Sequence, residues 1–186
     1  MRCLFMIFVT VALLSMAAGT QAADHKFIGA AGCKMCHKGV TKGSQFEIWE
    51  SSRHSKTVET LKSEAAVKIG KEKGLKVPPS EAAECLKCHT TGHGAPAALF
   101  DAKFDKNAGV QCEACHGAGG DYKSLTVMKD RQKSIDAGMN PIAVADGSAE
   151  KHCVKCHNSE NPTFKGFNFK EYWEKIKHPK PAANLQ

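Results

Sequence analysis

Cys33/Cys36, Cys85/Cys88, Cys112/Cys115 and Cys153/Cys156 are each separated by two residues. A histidine follows every second cysteine at once: His37, His89, His116 and His157. Two thiols one helical turn apart can add across the two vinyl groups of a porphyrin, and the adjacent imidazole then supplies an axial nitrogen to the iron. Other thiol chemistries fit less well. A redox dithiol needs a single C-x-x-C on a βαβ pattern, which is absent. Zinc sites can be built from C-x-x-C pairs, but zinc does not require a histidine after each pair. Four disulfides would be the default for eight cysteines in an exported chain, yet the strict pairing with histidine overrules it. The expectation is four covalently bound haem c groups, held by the eight cysteines, with His37, His89, His116 and His157 as proximal iron ligands.

Each iron would have one further axial position, and five histidines lie outside the motifs: His25, His54, His93, His152 and His178. His54 shares helical spacing with Val58, Leu61 and Ala65, so it points where an apolar face points. His178 ends a pattern of Phe169, Tyr172, Trp173 and Ile176 just before Pro179, where the helical period no longer dictates its direction. His93 lies four residues after His89, too close to reach the far side of the same porphyrin, and would serve a different one. His25 sits eight residues before Cys33, on a segment that can fold back or reach a neighbouring subunit. His152 abuts Cys153 and reads as a surface residue or a propionate partner. Methionine ligation would raise the potential; Met35 lies inside a motif, and Met128 and Met139 read as packing or turn residues. Mostly bis-histidine, low-spin, low-potential iron is expected, with His54, His93, His178 and His25 as the distal candidates.

The elements that must position these groups are mainly helical. Strand alternation is scarce. A long helix is expected from about Ser44 to Lys73, stopped by Gly74 and Pro78-Pro79. Shorter helices should begin near Ser80, Asp121, Ser148 and Asn168, with Gly92–Pro96 and Gly117–Gly120 as loops. The motifs are unequally spaced, by 52, 27 and 41 residues between successive first cysteines, which argues for one intertwined domain rather than tandem repeats. The chain has 186 residues, and its long apolar run is Leu4–Ala18, after Arg2 and before small residues. That run reads as a secretory signal peptide over residues 1–22, leaving a haem domain over residues 23–186 in the periplasm or outside the cell.

Composition points the same way. With 24% charged and 7% aromatic residues, the chain has little material for an ordinary core, so porphyrins are expected to form the interior. The formal charge of +7 is offset by the propionates of four haems, so it argues poorly for nucleic acid. No aromatic-interleaved basic patch is visible either.

Several segments resemble the tetrahaem cytochromes of the cytochrome c-554 type. They are Phe27-Ile28-Gly29, Trp49-Glu50 leading to Ser52-Arg53-His54-Ser55, Thr90-Thr91-Gly92, the run Gly109-Val110-Gln111-Cys112-Glu113-Ala114-Cys115-His116-Gly117, and Tyr172-Trp173 to Lys177-His178. The resemblance implies a compact, mainly α multihaem fold with haems stacked in close pairs and one of them five-coordinate. It implies electron relay in the periplasm, and distal roles for His54, His178 and His93. The expected function is electron transfer between redox partner proteins. Two alternatives stand beside it: a nitrogen-oxide redox enzyme using an open axial position, and a subunit of a polymeric haem wire, which would be a homo-oligomer. No catalytic constellation beyond iron is evident.

Overall fold

The computed structural model describes residues 25–179. The expected signal peptide lies outside the described residues. Helices join without a strand among these residues, and the one isolated parallel bridge pairs Phe27 with Phe100. The chain is mainly α, as its patterning predicts.

Helix α1 (Ala30–His37) carries the whole first motif. This helix is not among those expected from the sequence. Next come α2 (Gln45–Ser51), a 3₁₀ turn (His54–Lys56), α3 (Thr57–Thr60) and α4 (Glu64–Glu72). The single helix expected over this stretch is therefore broken twice. Serine causes the first break: the Ser52 hydroxyl donates to the Trp49 carbonyl at 2.7 Å, and the Ser55 hydroxyl donates to the Glu50 carbonyl at 2.9 Å. These side chains take carbonyls that a continuous helix would use. The second break is Ser63, whose hydroxyl accepts the Ala66 N–H and so starts a new helix. Gly74 does end α4 as expected. It has φ +72°, and the Leu75 N–H returns to the Gly70 carbonyl at 2.9 Å.

Helix α5 (Ala83–His89) carries the second motif and α6 (Cys112–His116) the third. The helix expected near Asp121 is two short ones, α7 (Leu125–Met128) and α8 (Arg131–Asp136), the latter capped by Asp130. The fourth motif begins at the end of α9 (Ser148–Cys153) and continues in a turn. Helix α10 (Phe169–Ile176) starts at the Asn168 cap and precedes His178. Residues 90–95 and 117–120 are loops, as expected.

The buried apolar set among the described residues is small: Ile28, Ala30, Phe46, Val58, Leu61, Ala82, Tyr122 and Ala149. These residues are scattered through the chain and do not form one layer. The motif histidines and all motif cysteines but the exposed Cys36 are half-buried.

Candidate haem-binding centre

The motif helices meet in two pairs. Cys33 and Cys112 lie near enough to shift each other's thiols, which sets the first motif beside the third, and Cys33 Sγ itself donates to the Gly29 carbonyl at 3.7 Å. Cys88 likewise acts on Cys156, which sets the second motif beside the fourth. An ion pair between Lys87 and Glu160 supports the second junction from outside. None of the eight described cysteines forms a disulfide, so each keeps its thiol. Contact with Cys112, then burial, pushes the Cys33 thiol far up. The neighbouring Cys33 thiol pushes Cys112 down. Burial raises Cys115 to about 11 and Cys156 to about 12.

Two imidazole pairs stand within this arrangement. The rings of His54 and His157 have centroids 6.1 Å apart, and those of His116 and His178 are 5.8 Å apart. Each pair joins a motif histidine to a histidine outside the motifs. An edge-to-face aromatic contact falls in the same range, so the chemistry of the donor set has to decide. Two metal–nitrogen bonds of about 2 Å, with roughly 1 Å from nitrogen to ring centre on each side, put opposed imidazole centroids about 6 Å apart. Among the described residues, no three His, Cys, Asp or Glu side chains converge on one metal position. The donors thus come as opposed pairs, which suits an iron whose other four ligands are supplied by a porphyrin and does not suit tetrahedral zinc. The residues present fit haem c.

Electrostatics keep these rings in the neutral form that can ligate. Burial, then the nearby His178, His37 and His152, push His116 down to about 4. Burial lowers His54, with His157 adding to the effect, and burial lowers His157 as well. His178 keeps much of its surface open, but lost hydration on its inner side and the charge of His37 lower it too. His37 is also lowered by burial, against a hydrogen bond with Gln45.

Supporting contacts orient the donors. The His157 ring stacks on Phe167 at 4.7 Å, and Phe167 stacks on Tyr172 at 5.4 Å, so α10 braces the fourth motif. The His54 carbonyl accepts the Val110 N–H at 2.9 Å, and the Trp49 indole N–H donates to the Val110 carbonyl at 2.8 Å. Gly109 lies against this junction with φ +74°, and a Cβ there would fall 2.4 Å from the His54 carbonyl oxygen, so only glycine permits the approach. His89 Nδ1 lies 3.0 Å from the Thr57 carbonyl. A carbonyl can only accept, so Nδ1 carries the proton and Nε2 is left as the donor atom.

The other expected ligands are placed differently. His93 is exposed, in a loop lining a cleft of about 260 Å³ with Val58, Leu86, Thr90 and Phe100. His25 folds back onto the domain, with Nδ1 2.6 Å from an Asp121 carboxylate oxygen and its ring against Gly138. Neither ring is brought against a motif histidine as His54 and His178 are. His152, read from sequence as a surface or propionate-binding residue, donates from Nε2 to the Ala114 carbonyl at 2.7 Å and ties the fourth motif to α6. Sequence reasoning missed Glu113 and Thr57. For Glu113 the signal was present: the residue pairs inside the motifs are Lys34-Met35, Leu86-Lys87, Glu113-Ala114 and Val154-Lys155, so the third alone contains an acid.

A helical chain with repeated C-x-x-C-H segments, two of whose histidines stand against histidines from elsewhere in the chain, is a c-type cytochrome in class. The family described as cytochrome c554 and c-prime matches residues 32–117. Cytochrome c-554 of Nitrosomonas europaea is 30% identical over 169 residues, covering 85% of this chain and 69% of that one. No solved structure gives a significant match. The chain belongs to the cytochrome c-554 family, whose membership implies covalently bound haem c and electron transfer.

Proposed function

We propose that this protein is an exported tetrahaem cytochrome that relays electrons between redox partner proteins in the periplasm. The observation that carries this reading is the opposition of His54 to His157 and of His116 to His178. These pairs would supply two irons with two protein nitrogens each and would close both of those irons to a substrate. Bound haem c supplies one-electron chemistry at each iron. The chain's part is to attach the porphyrins through Cys33/Cys36, Cys85/Cys88, Cys112/Cys115 and Cys153/Cys156, to present His37, His89, His116 and His157, and to hold His54 and His178 opposite two of them. The nearness of the first motif to the third, and of the second to the fourth, supports a close-paired arrangement. The contact of His152 with α6 links the two pairs. Partners of such a carrier meet it through small, transient interfaces. Among the described residues no helix is long and apolar enough to cross a membrane.

One observation favours a second reading, redox catalysis on a nitrogen oxide. His89 has its Nδ1 committed to Thr57 and lies beside the cleft lined by the exposed His93, a place where a small ligand could approach an open axial position. Mass spectrometry combined with electron paramagnetic resonance separates the two. The carrier predicts an adduct of four haems on a chain beginning near Ala23, with low-spin signals that nitric oxide leaves unchanged. A high-spin signal that shifts on adding nitric oxide moves the assignment to the enzyme. An adduct of fewer than four haems defeats the tetrahaem reading altogether.

A further inference from the structure

Glu113 is a carboxylate inside the third motif, 3% exposed, with no cation on it. Its Oε1 accepts the Ile28 N–H at 2.8 Å and the Gly119 N–H at 2.7 Å, and its Oε2 accepts the Gly29 N–H at 2.8 Å. All three partners are donors. A neutral acid would need an acceptor for its own O–H, whereas an ionised carboxylate is acceptor-only, so this is the pattern of the charged form. The ion pairs among the described residues involve other acids, so backbone dipoles alone balance this charge.

The placement gives the charge a consequence. Glu113 lies between Cys112 and Cys115 on α6, and its N–H partners Ile28 and Gly29 lead directly into α1, which carries Cys33 and Cys36. After contact with Cys112 and burial, its charge is among the influences that push the Cys33 thiol up. After burial and Cys33, it acts likewise on the Tyr122 phenol. A negative charge with no side-chain cation on it, in a poorly screened interior, therefore sits at the junction of the first and third motifs.

We propose that Glu113 sets the potential of the first haem pair: its fixed negative charge lowers the reduction potential of the iron held at the first and third motifs. Each one-electron reduction from ferric to ferrous removes a positive charge that the carboxylate stabilises, so gaining the electron becomes less favourable. The same three hydrogen bonds make Glu113 a positioning residue that ties segment 28–29 and loop 117–120 to α6. The proposal rests on the haem attachment proposed above, which the mass and visible spectrum of the unsubstituted protein test separately.

The experiment is a spectroelectrochemical titration of the full mature cytochrome, unsubstituted and with Glu113→Gln and Glu113→Asp. In the Gln variant carrying four haems, two of the four midpoint potentials should move upward while two stay. The shift should persist at high ionic strength, because the charge is buried. The Asp variant keeps the charge and should leave all four close to their starting values. No upward shift in the Gln variant would overturn the proposal, as would equal shifts in Gln and Asp, which would mean that geometry and not charge is responsible.

Should the Gln variant fail to assemble, redox-difference infrared spectroscopy on protein carrying ¹³C-carboxyl glutamate decides. An ionised carboxylate band that shifts on reduction and is missing from the Asp variant supports the proposal. Such a band in the protonated-acid region, or one indifferent to reduction, refutes it.

Discussion

At the scale of single residues, the proposed centre depends on histidines far apart in sequence being held against one another. His54 is fixed by its own backbone more than by its ring: its carbonyl is bonded to Val110, and Gly109 leaves room for that bond. Replacing His54 by alanine keeps this backbone and removes only the nitrogen opposite His157. The expected outcome is a protein with its full haem content in which one low-spin signal becomes high-spin, read by electron paramagnetic resonance of the oxidised sample. Unchanged spin states would show that the His54–His157 contact is a ring stack and not an axial pair. The residue scale is also where sequence and structure differ most instructively. His54 was legible because Val58 and Leu61, spaced from it as on a helix, are both buried, although Ala65 on the same stripe is exposed. For His178 the proline after it left the direction open, and the family resemblance is what pointed to it. The role of His152 was not legible, since its partner is a backbone carbonyl 38 residues away, and although Glu113 stands out as the acid inside a motif, the N–H groups of residues 28 and 29 that it holds, 84–85 residues away, carry no sequence signature.

At the scale of elements, the helices are short and depend on caps more than on length. Isolated helices below about 12 residues are marginal in water, and here α8 has six residues. Its start is held by Asp130, whose carboxylate accepts the N–H groups of Gln132 and Lys133 at 3.1 Å each. The hydrogen bond from the Lys133 N–H, followed by the Lys133 side chain, lowers the pKa of Asp130. A carboxylate lowered by folding contributes stability above its unfolded pKa of about 3.9, and that contribution is lost as pH falls through the folded value. Asp130→Ala should therefore lower the melting temperature at pH 5 and above, and the difference from the parent should vanish once the pH falls below the folded pKa. Thermal melts across pH 2–7 check this; a difference that stays constant would assign the effect to helix propensity. The same dependence on local polar groups explains the break after Ser51. Apolar spacing marked the stretch as helical, but hydroxyls that capture carbonyls leave no trace in a hydrophobic period.

At the scale of the whole molecule, the question is what takes the place of an ordinary interior. A domain of about 150 residues ordinarily buries some 68–70% of the surface its unfolded chain exposes, and that burial is the dominant favourable contribution to folding. Here the buried apolar side chains among residues 25–179 are eight, two of them from the N-terminal segment at Ile28 and Ala30. Seven of the eight motif cysteines and all four motif histidines are only half-buried, and Cys36 is exposed. A set this thin cannot offset the conformational entropy of ordering the chain, so the remainder must come from the bound porphyrins, each a large apolar plate tied at two sulfurs. Binding that occurs only in the folded state is folding free energy. With all eight motif cysteines changed to serine, the chain should lose most of its helical circular dichroism and unfold in urea without a cooperative transition. Changing only Cys88 and Cys156 would remove one thioether from each haem of the second pair. Helix content should then fall in α5 and α9 while α1 and α6 persist, because the contacts joining those two helices run through Cys33, Cys112 and Glu113. A serine chain that kept native helix content and a sharp urea transition would place the stability in the polypeptide itself, and the thin core would then have to be explained without the cofactor.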